Sequence, residues 1–230
     1  MLLLALDTST PRVAVAIGED GRVRGEVRLT GRRRHAEQLA PAIAYLCDQT
    51  QVRLDQLAAI AVGHGPGLFT GLRVGVTTAK VMAQALRIPV VPIASLDLVA
   101  YPLRHAGRLV AAVLDARRGE VYHAQYRPVP GGVQRTTDYT VGPAAELVAD
   151  LAATGDEVLL AGDGIEPNLA EFASLDRAEQ AGPEFDSPSA TALIELATGR
   201  VEREEFTSPW EVLPLYLRAS DAELAWEGRR

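Results

Sequence analysis

The stretch Gly63-His64-Gly65-Pro66-Gly67-Leu68-Phe69-Thr70-Gly71-Leu72-Arg73-Val74-Gly75 constrains the fold of this chain more than any other. An apolar run, Leu57 to Val62, leads into it, and small and apolar residues from Leu72 to Leu86 lead out. That order reads as buried strand, tight Gly/Pro loop and helix. Glycines and a proline at such a junction leave backbone N–H groups uncovered by side chains. The loop can therefore bring backbone close to a phosphate at the helix N-terminus, which makes Gly65 and Gly67 candidate contacts. It can equally bring backbone close to another protein element, because glycine has no Cβ.

With 230 residues the chain can form one large domain or two small ones. Its 47% hydrophobic and 23% charged residues are those of an ordinary globular protein. A formal net charge of −7 argues against a broad electrostatic footprint on nucleic acid. The local basic run Arg32-Arg33-Arg34-His35 reads as a solvated loop before a helix or as a local phosphate or partner contact. Cys47 is the sole cysteine, so no intrachain disulfide forms and a reducing compartment is expected. It lies in an apolar helical pattern that suits core better than a nucleophile. No apolar run approaches the ~20 residues of a membrane span. Met1 to Leu6 meets Asp7 at once, without a basic n-region, and reads as a strand rather than a signal peptide. A cytoplasmic location is expected.

A similar order of elements occurs twice. Leu2–Leu6 is an apolar strand ending at Asp7-Thr8-Ser9-Thr10-Pro11; Val13–Ile17 and Val23–Leu29 follow as strands across the turn Glu19-Asp20-Gly21. A helix starts near His35, with Leu39, Ala42, Ile43, Leu46 and Cys47 on one apolar face. Strand Ala59–Gly63, the glycine loop, a slim helix carrying Val76, Ala79, Lys80, Ala83 and Leu86, and strand Val90–Ile93 complete the first half. After Arg104–Arg108 the order restarts: Leu109–Leu114 ends at Asp115, Glu120–Tyr126 follows, and Val133–Val141 pairs as a third strand. Then come a helix from Pro143 to about Ala152, strand Glu157–Ala161, the turn Gly162-Asp163-Gly164, and helices over Pro167–Phe172 and Ser189–Gly199. Two such halves predict duplicated α/β lobes, residues 1–103 and 104–230, around mixed sheets, with a nucleotide-sized cleft between them.

The residues offer little unaided chemistry. His35, His64, His105 and His123 contain no pair at i, i+4 spacing, and no Cys pair exists, so no metal site is expected. There is no Gly-x-Ser-x-Gly elbow and no Gly-Lys-Ser/Thr ending of a phosphate loop. Asp7, Thr8 and Ser9 suit a phosphate or Mg²⁺-water contact and equally a self-bonded turn. Asp7 and Asp115 could face one another as carboxylates in the cleft of a phosphotransferase.

As a string, Gly65-Pro66-Gly67-Leu68-Phe69-Thr70-Gly71-Leu72-Arg73-Val74-Gly75 resembles the signature of the TsaB (YeaZ) family. Leu6-Asp7-Thr8-Ser9-Thr10, His35-Ala36-Glu37-Gln38-Leu39-Ala40-Pro41, Ser95-Leu96 and Pro214-Leu215-Tyr216-Leu217-Arg218 are similar to further motifs of that family. The resemblance implies a two-lobed fold of the actin, Hsp70 and sugar-kinase kind. It implies a non-catalytic subunit of the machinery that makes threonylcarbamoyladenosine in tRNA. The enzymatic relative, TsaD, carries a metal-binding His-x-x-x-His; the matching positions here are Ser95 and Val99, which cannot ligate as imidazole does. The resemblance implies pairing with TsaD through the two first-lobe helices, with His35, Leu39, Ile43, Leu46, Leu72, Val76, Ala79, Lys80 and Ala83 expected at the contact. It further implies a homodimer when TsaD is absent, a TsaE-like ATPase in the assembly, ATP or ADP at the partner interface, and tRNA held mainly by the partner. An active sugar- or acid-kinase-like phosphotransferase is the rival expectation; peptidase activity is a third.

Overall fold

A computed structural model describes residues 1–31 and 35–218, so the run Arg32–Arg34 lies outside the described residues. The first half builds a five-stranded sheet from β1 (Leu2–Asp7), β2 (Arg12–Glu19), β3 (Arg22–Thr30), β4 (Leu57–Gly63) and β5 (Val90–Ile93), in the order β3-β2-β1-β4-β5. Strand β1 is antiparallel to β2, with Leu4 opposite Ile17, and parallel to β4, with Leu4 opposite Ile60. Helices α1 (His35–Thr50) and α2 (Phe69–Leu86) connect β3 to β4 and β4 to β5.

The second half repeats this plan. Strands β6 (Leu109–Arg117), β7 (Glu120–Val129) and β8 (Gly132–Arg135), then β9 (Thr140–Pro143), α4 (Ala144–Thr154), β10 (Val158–Ala161), α5 (Leu169–Phe172) and β11 (Ala178–Gln180), give the order β11-β10-β6-β7-β8. The two-lobed α/β fold with duplicated mixed sheets is thus present. One difference concerns the segment read as a single strand over Val133–Val141. It forms two: β8 pairs with Tyr126–Val129 of β7, and β9 with Glu120–His123 of the same strand. Helix α5 retains a single turn where α2 has five.

Strands β1, β4 and β6 carry continuous apolar runs because both of their faces are covered. In β1, Leu4 and Leu6 face α1 and α2, while Leu3 and Ala5 face the opposite layer. In β6, Leu109, Ala111 and Val113 pack against α4 and α5, while Val110, Ala112 and Leu114 face the other way. Edge strand β3 alternates buried-side and exposed residues and carries Arg22, Arg24, Glu26 and Arg28 outward, which blunts the sheet edge.

Each half lends residues of its last helix to the other sheet. Ser95-Leu96-Asp97, just after β5, opens α3 (Ser95–Ala100), whose Leu96, Val99 and Ala100 join Val110, Ala112 and Leu114 of the second sheet. Helix α6 (Ala190–Glu202), capped by Ser189 Oγ accepting from Ala192 N–H at 3.1 Å, puts Ala190, Leu193, Ile194 and Ala197 against Leu3, Ala5 and Ala14 of the first sheet. From Thr207 the chain forms an irregular strap that bridges to Val90 and runs along α2 to the second lobe.

Candidate functional site

The glycine loop joins β4 to α2, and the β1–β2 turn lies directly beneath it. Leu68 N–H donates to the Ser9 carbonyl at 2.7 Å, and Thr8 Oγ1 donates to the Gly71 carbonyl at 2.7 Å. A Cβ at Gly71 would collide with the Thr8 carbonyl oxygen, so only glycine admits this approach. The signature is therefore a packing motif between two loops that the sequence separates by some sixty residues. His35 fixes the same turn through Nε2, 2.7 Å from the Thr10 carbonyl.

The turn bonds to itself. Asp7 Oδ1 accepts from Ser9 N–H at 3.0 Å and from Ser9 Oγ at 2.8 Å, while Ser95 Oγ reaches Oδ2 at 3.4 Å. Asp7 is 2% exposed, and burial pushes its carboxyl up to about 6 against the pull of those hydrogen bonds. Asp7 and Ser9 thus form a self-bonded turn, and Thr8 ties that turn to the glycine loop. Gly65 and Gly67 are also buried. Gly65 has φ +117° and a Cβ there would lie 2.7 Å from the Leu215 carbonyl oxygen, while Gly67 sits against Ser9. Asp7, Thr8 and Ser9 thus bond within the chain, and Gly65 and Gly67 lie against its neighbouring segments.

Between the lobes the corresponding turn of the second half follows the same plan. Asp115 Oδ1 accepts from Arg117 N–H at 2.8 Å, and its Oδ2 pairs with Arg117 at 3.0 Å. Asp163, from the turn after β10, accepts from Asp115 N–H at 3.1 Å, and burial pushes its carboxyl up to about 6. Asp7 and Asp115 each accept hydrogen bonds within their own strand-end turn. Between the lobes lies a cavity of about 70 Å³ lined by Gly67–Phe69, Asp115–Arg117, Tyr122 and Leu215–Arg218. Sequence reasoning placed the last of these in a motif without assigning them a position.

The two first-lobe helices present a different face from the one expected. Leu39, Ile43, Leu46, Val76, Ala79 and Ala83 all lie in the core under the first sheet, and His35 and Leu72 are buried as well. Lys80 donates to the Val212 carbonyl at 2.8 Å. These residues hold the helices to their own sheet and are corrected as contact residues, because the apolar stripe of an amphipathic helix turns inward. The solvent side is small and apolar too: Ala36, Ala40, Ala44 and Tyr45 on α1, and Thr77, Val81 and Ala85 on α2, with Val81 58% exposed.

Ser95 and Val99 stand one turn apart on α3, both buried, and present a hydroxyl and an isopropyl group. Among the described residues no cluster of three or more His, Cys, Asp or Glu side chains is arranged to hold a metal. Nor, among them, is any helix long and apolar enough to cross a membrane.

The family model described as "TsaD: tRNA N6-adenosine threonylcarbamoyltransferase" matches residues 27–175. YeaZ from Pseudomonas aeruginosa superposes with a TM-score of 0.81 at 32% identity, over 94% of this chain and 99% of that one. The chain belongs to the TsaB (YeaZ) family. The Bacillus subtilis tRNA threonylcarbamoyladenosine biosynthesis protein TsaB is 29% identical over 98% of both chains. The fold alone is shared with the activator of 2-hydroxyisocaproyl-CoA dehydratase from Clostridium difficile, at a TM-score of 0.54 and 11% identity. For a TsaB-family chain, the self-filled glycine loop and the exposed small-residue ridges are the two features from which a role can be argued.

Proposed function

We infer that this chain is a non-catalytic scaffold subunit that pairs with a TsaD-like paralogue in the threonylcarbamoylation of adenosine 37 in tRNA. The observation that carries it is the double-sided character of α1 and α2. Their large apolar residues serve the core, and a second face of alanines, Thr77 and Val81 remains open to solvent. Two adjacent helices of this kind form half of a four-helix bundle, and small side chains let partner helices approach closely. The same face is self-complementary in a homodimer when the paralogue is absent. A TsaE-like ATPase, with ATP or ADP at the interface between subunits, and a cytoplasmic location belong to the same proposal. The acidic charge leaves tRNA to be held mainly by the partner.

Val81→Arg and Ala44→Arg test the reading. Each places a long cation on the exposed ridge without touching the core. Co-elution with the TsaD-like subunit is expected to be lost, and with it modification of tRNA in a reconstituted assay, while the thermal melt of the isolated chain stays within a few degrees. Unchanged co-elution in both variants, or full modification by the paralogue alone, overturns it.

A further inference from the structure

Clefts between two lobes normally close upon a small molecule. Here a segment of the chain itself lies between the lobes. We propose that the strap Thr207–Arg218 is an intramolecular ligand of the interlobe cleft, a latch that sets the angle between the two sheets and fills the space a bound molecule would need. The proposal is independent of the partner reading above.

The strap is anchored at three places. On the first lobe, Thr207 and Val90 exchange N–H to C=O bonds at 2.9 and 3.1 Å, and Lys80 Nζ donates to the Val212 carbonyl. At the glycine loop, Leu215 N–H donates to the His64 carbonyl at 2.7 Å. The His64 ring returns the contact through Nδ1, 3.2 Å from the Leu213 carbonyl. A carbonyl can only accept, so Nδ1 carries the proton, and burial pulls the imidazole pKa down toward that neutral form. At the far end, Tyr216 stacks on Phe69 at 4.8 Å and its hydroxyl accepts from Arg73 Nε at 3.3 Å. Leu217 then enters the second-sheet cluster and Arg218 pairs with Glu120 of β7. The segment thus begins on the edge of one sheet and ends on the other. Most of its anchors are backbone groups, as in peptide recognition by strand addition. The remaining 70 Å³ suffices for one or two water molecules.

The test uses the full chain with Cys47→Ala and spin labels at Gln49→Cys on α1 and Asp150→Cys on α4, both exposed positions. Leu215→Pro removes the N–H given to His64, Tyr216→Ala removes the stack, and Leu217→Asp expels the strap from the second lobe. Pulsed dipolar spectroscopy is expected to give one narrow distance in the parent and a distribution shifted or broadened by several ångströms in the variants. Amide exchange over Asp115–Glu120 should speed up at least tenfold. Leu215→Pro and Tyr216→Ala decide the matter if Leu217→Asp fails to fold. A parent-like distribution in these two overturns the proposal, and so does broadening confined to variants that have lost a cooperative melt.

Discussion

Asp7 shows how one residue type can carry either chemistry or architecture. Its carboxyl is buried with hydroxyls and one N–H as partners, and burial lifts it to about 6 from an ordinary value near ~4. The folded state therefore prefers the protonated form. The stability this contributes is complete below the unfolded-state value and is lost as pH rises through about 6. Asp7→Asn keeps the acceptor for Ser9 and cannot ionise, so its melting temperature relative to the parent should be higher at pH 8 than at pH 4.5. Equal offsets at the two pH values would contradict the assignment. Gly71 marks the same junction from the other side. Gly71→Ala drives a methyl into the Thr8 carbonyl, which is backbone and cannot swing away, and should cost about 2–3 kcal/mol or more in urea unfolding. Gly131→Ala, at φ +85° in open space, should cost only about 1 kcal/mol.

Helix α2 has two small-residue faces, and the one with Leu72, Val76, Ala79 and Ala83 turns inward. The periodicity of Leu72, Val76, Ala79 and Ala83 was legible, and so was the small size of its side chains. Which stripe faces the chain's own sheet is decided by the strand beside it, and Val62 and Ile60 of β4 claim Val76, Ala79 and Ala83. Ala79→Arg should therefore unfold the chain, since an unpaired buried charge costs ~3–5 kcal/mol, whereas Val81→Arg should leave the melt intact. Circular-dichroism melts of the two variants separate these outcomes. Helix α6 offers a milder probe: Ser189→Ala removes its N-cap and should cost about 1 kcal/mol.

The exchange of α3 and α6 between sheets makes the two lobes one cooperative unit. Asp97 on α3 accepts at Oδ1 from Tyr126 at 2.8 Å and from Tyr139 at 2.9 Å, and Arg104 pairs with Glu195 of α6 at 3.1 Å. Burial, with the Asp97 carboxylate beside them, pushes both phenols up, so they remain donors. A fragment of residues 1–103 keeps the first sheet but lacks α6, leaving Leu3, Ala5, Ala14 and Ala16 uncovered. It should show no cooperative melt, while the full chain should unfold in a single transition by both fluorescence and circular dichroism. Two separate transitions in the full chain would refute this coupling.

By itself the sequence determined the elements that have local causes. Continuous apolar runs made β1, β4 and β6, turn residues bounded them, and 3.6-residue periodicity made α1 and α2. The repetition of strand, Asp turn and strand made the duplicated plan visible, and the glycine string identified the family. Tertiary structure alone decided the rest. Helix α3 is short, and its apolar residues are divided between two sheets, so no local period announces it. The strap has no regular structure, and its position depends on carbonyls of the glycine loop and α2 that lie far away in sequence. Asp7, Thr8 and Ser9 have the same donors and acceptors whether they meet a phosphate or their own backbone. The packing of the glycine loop over the turn is what tertiary structure adds to them.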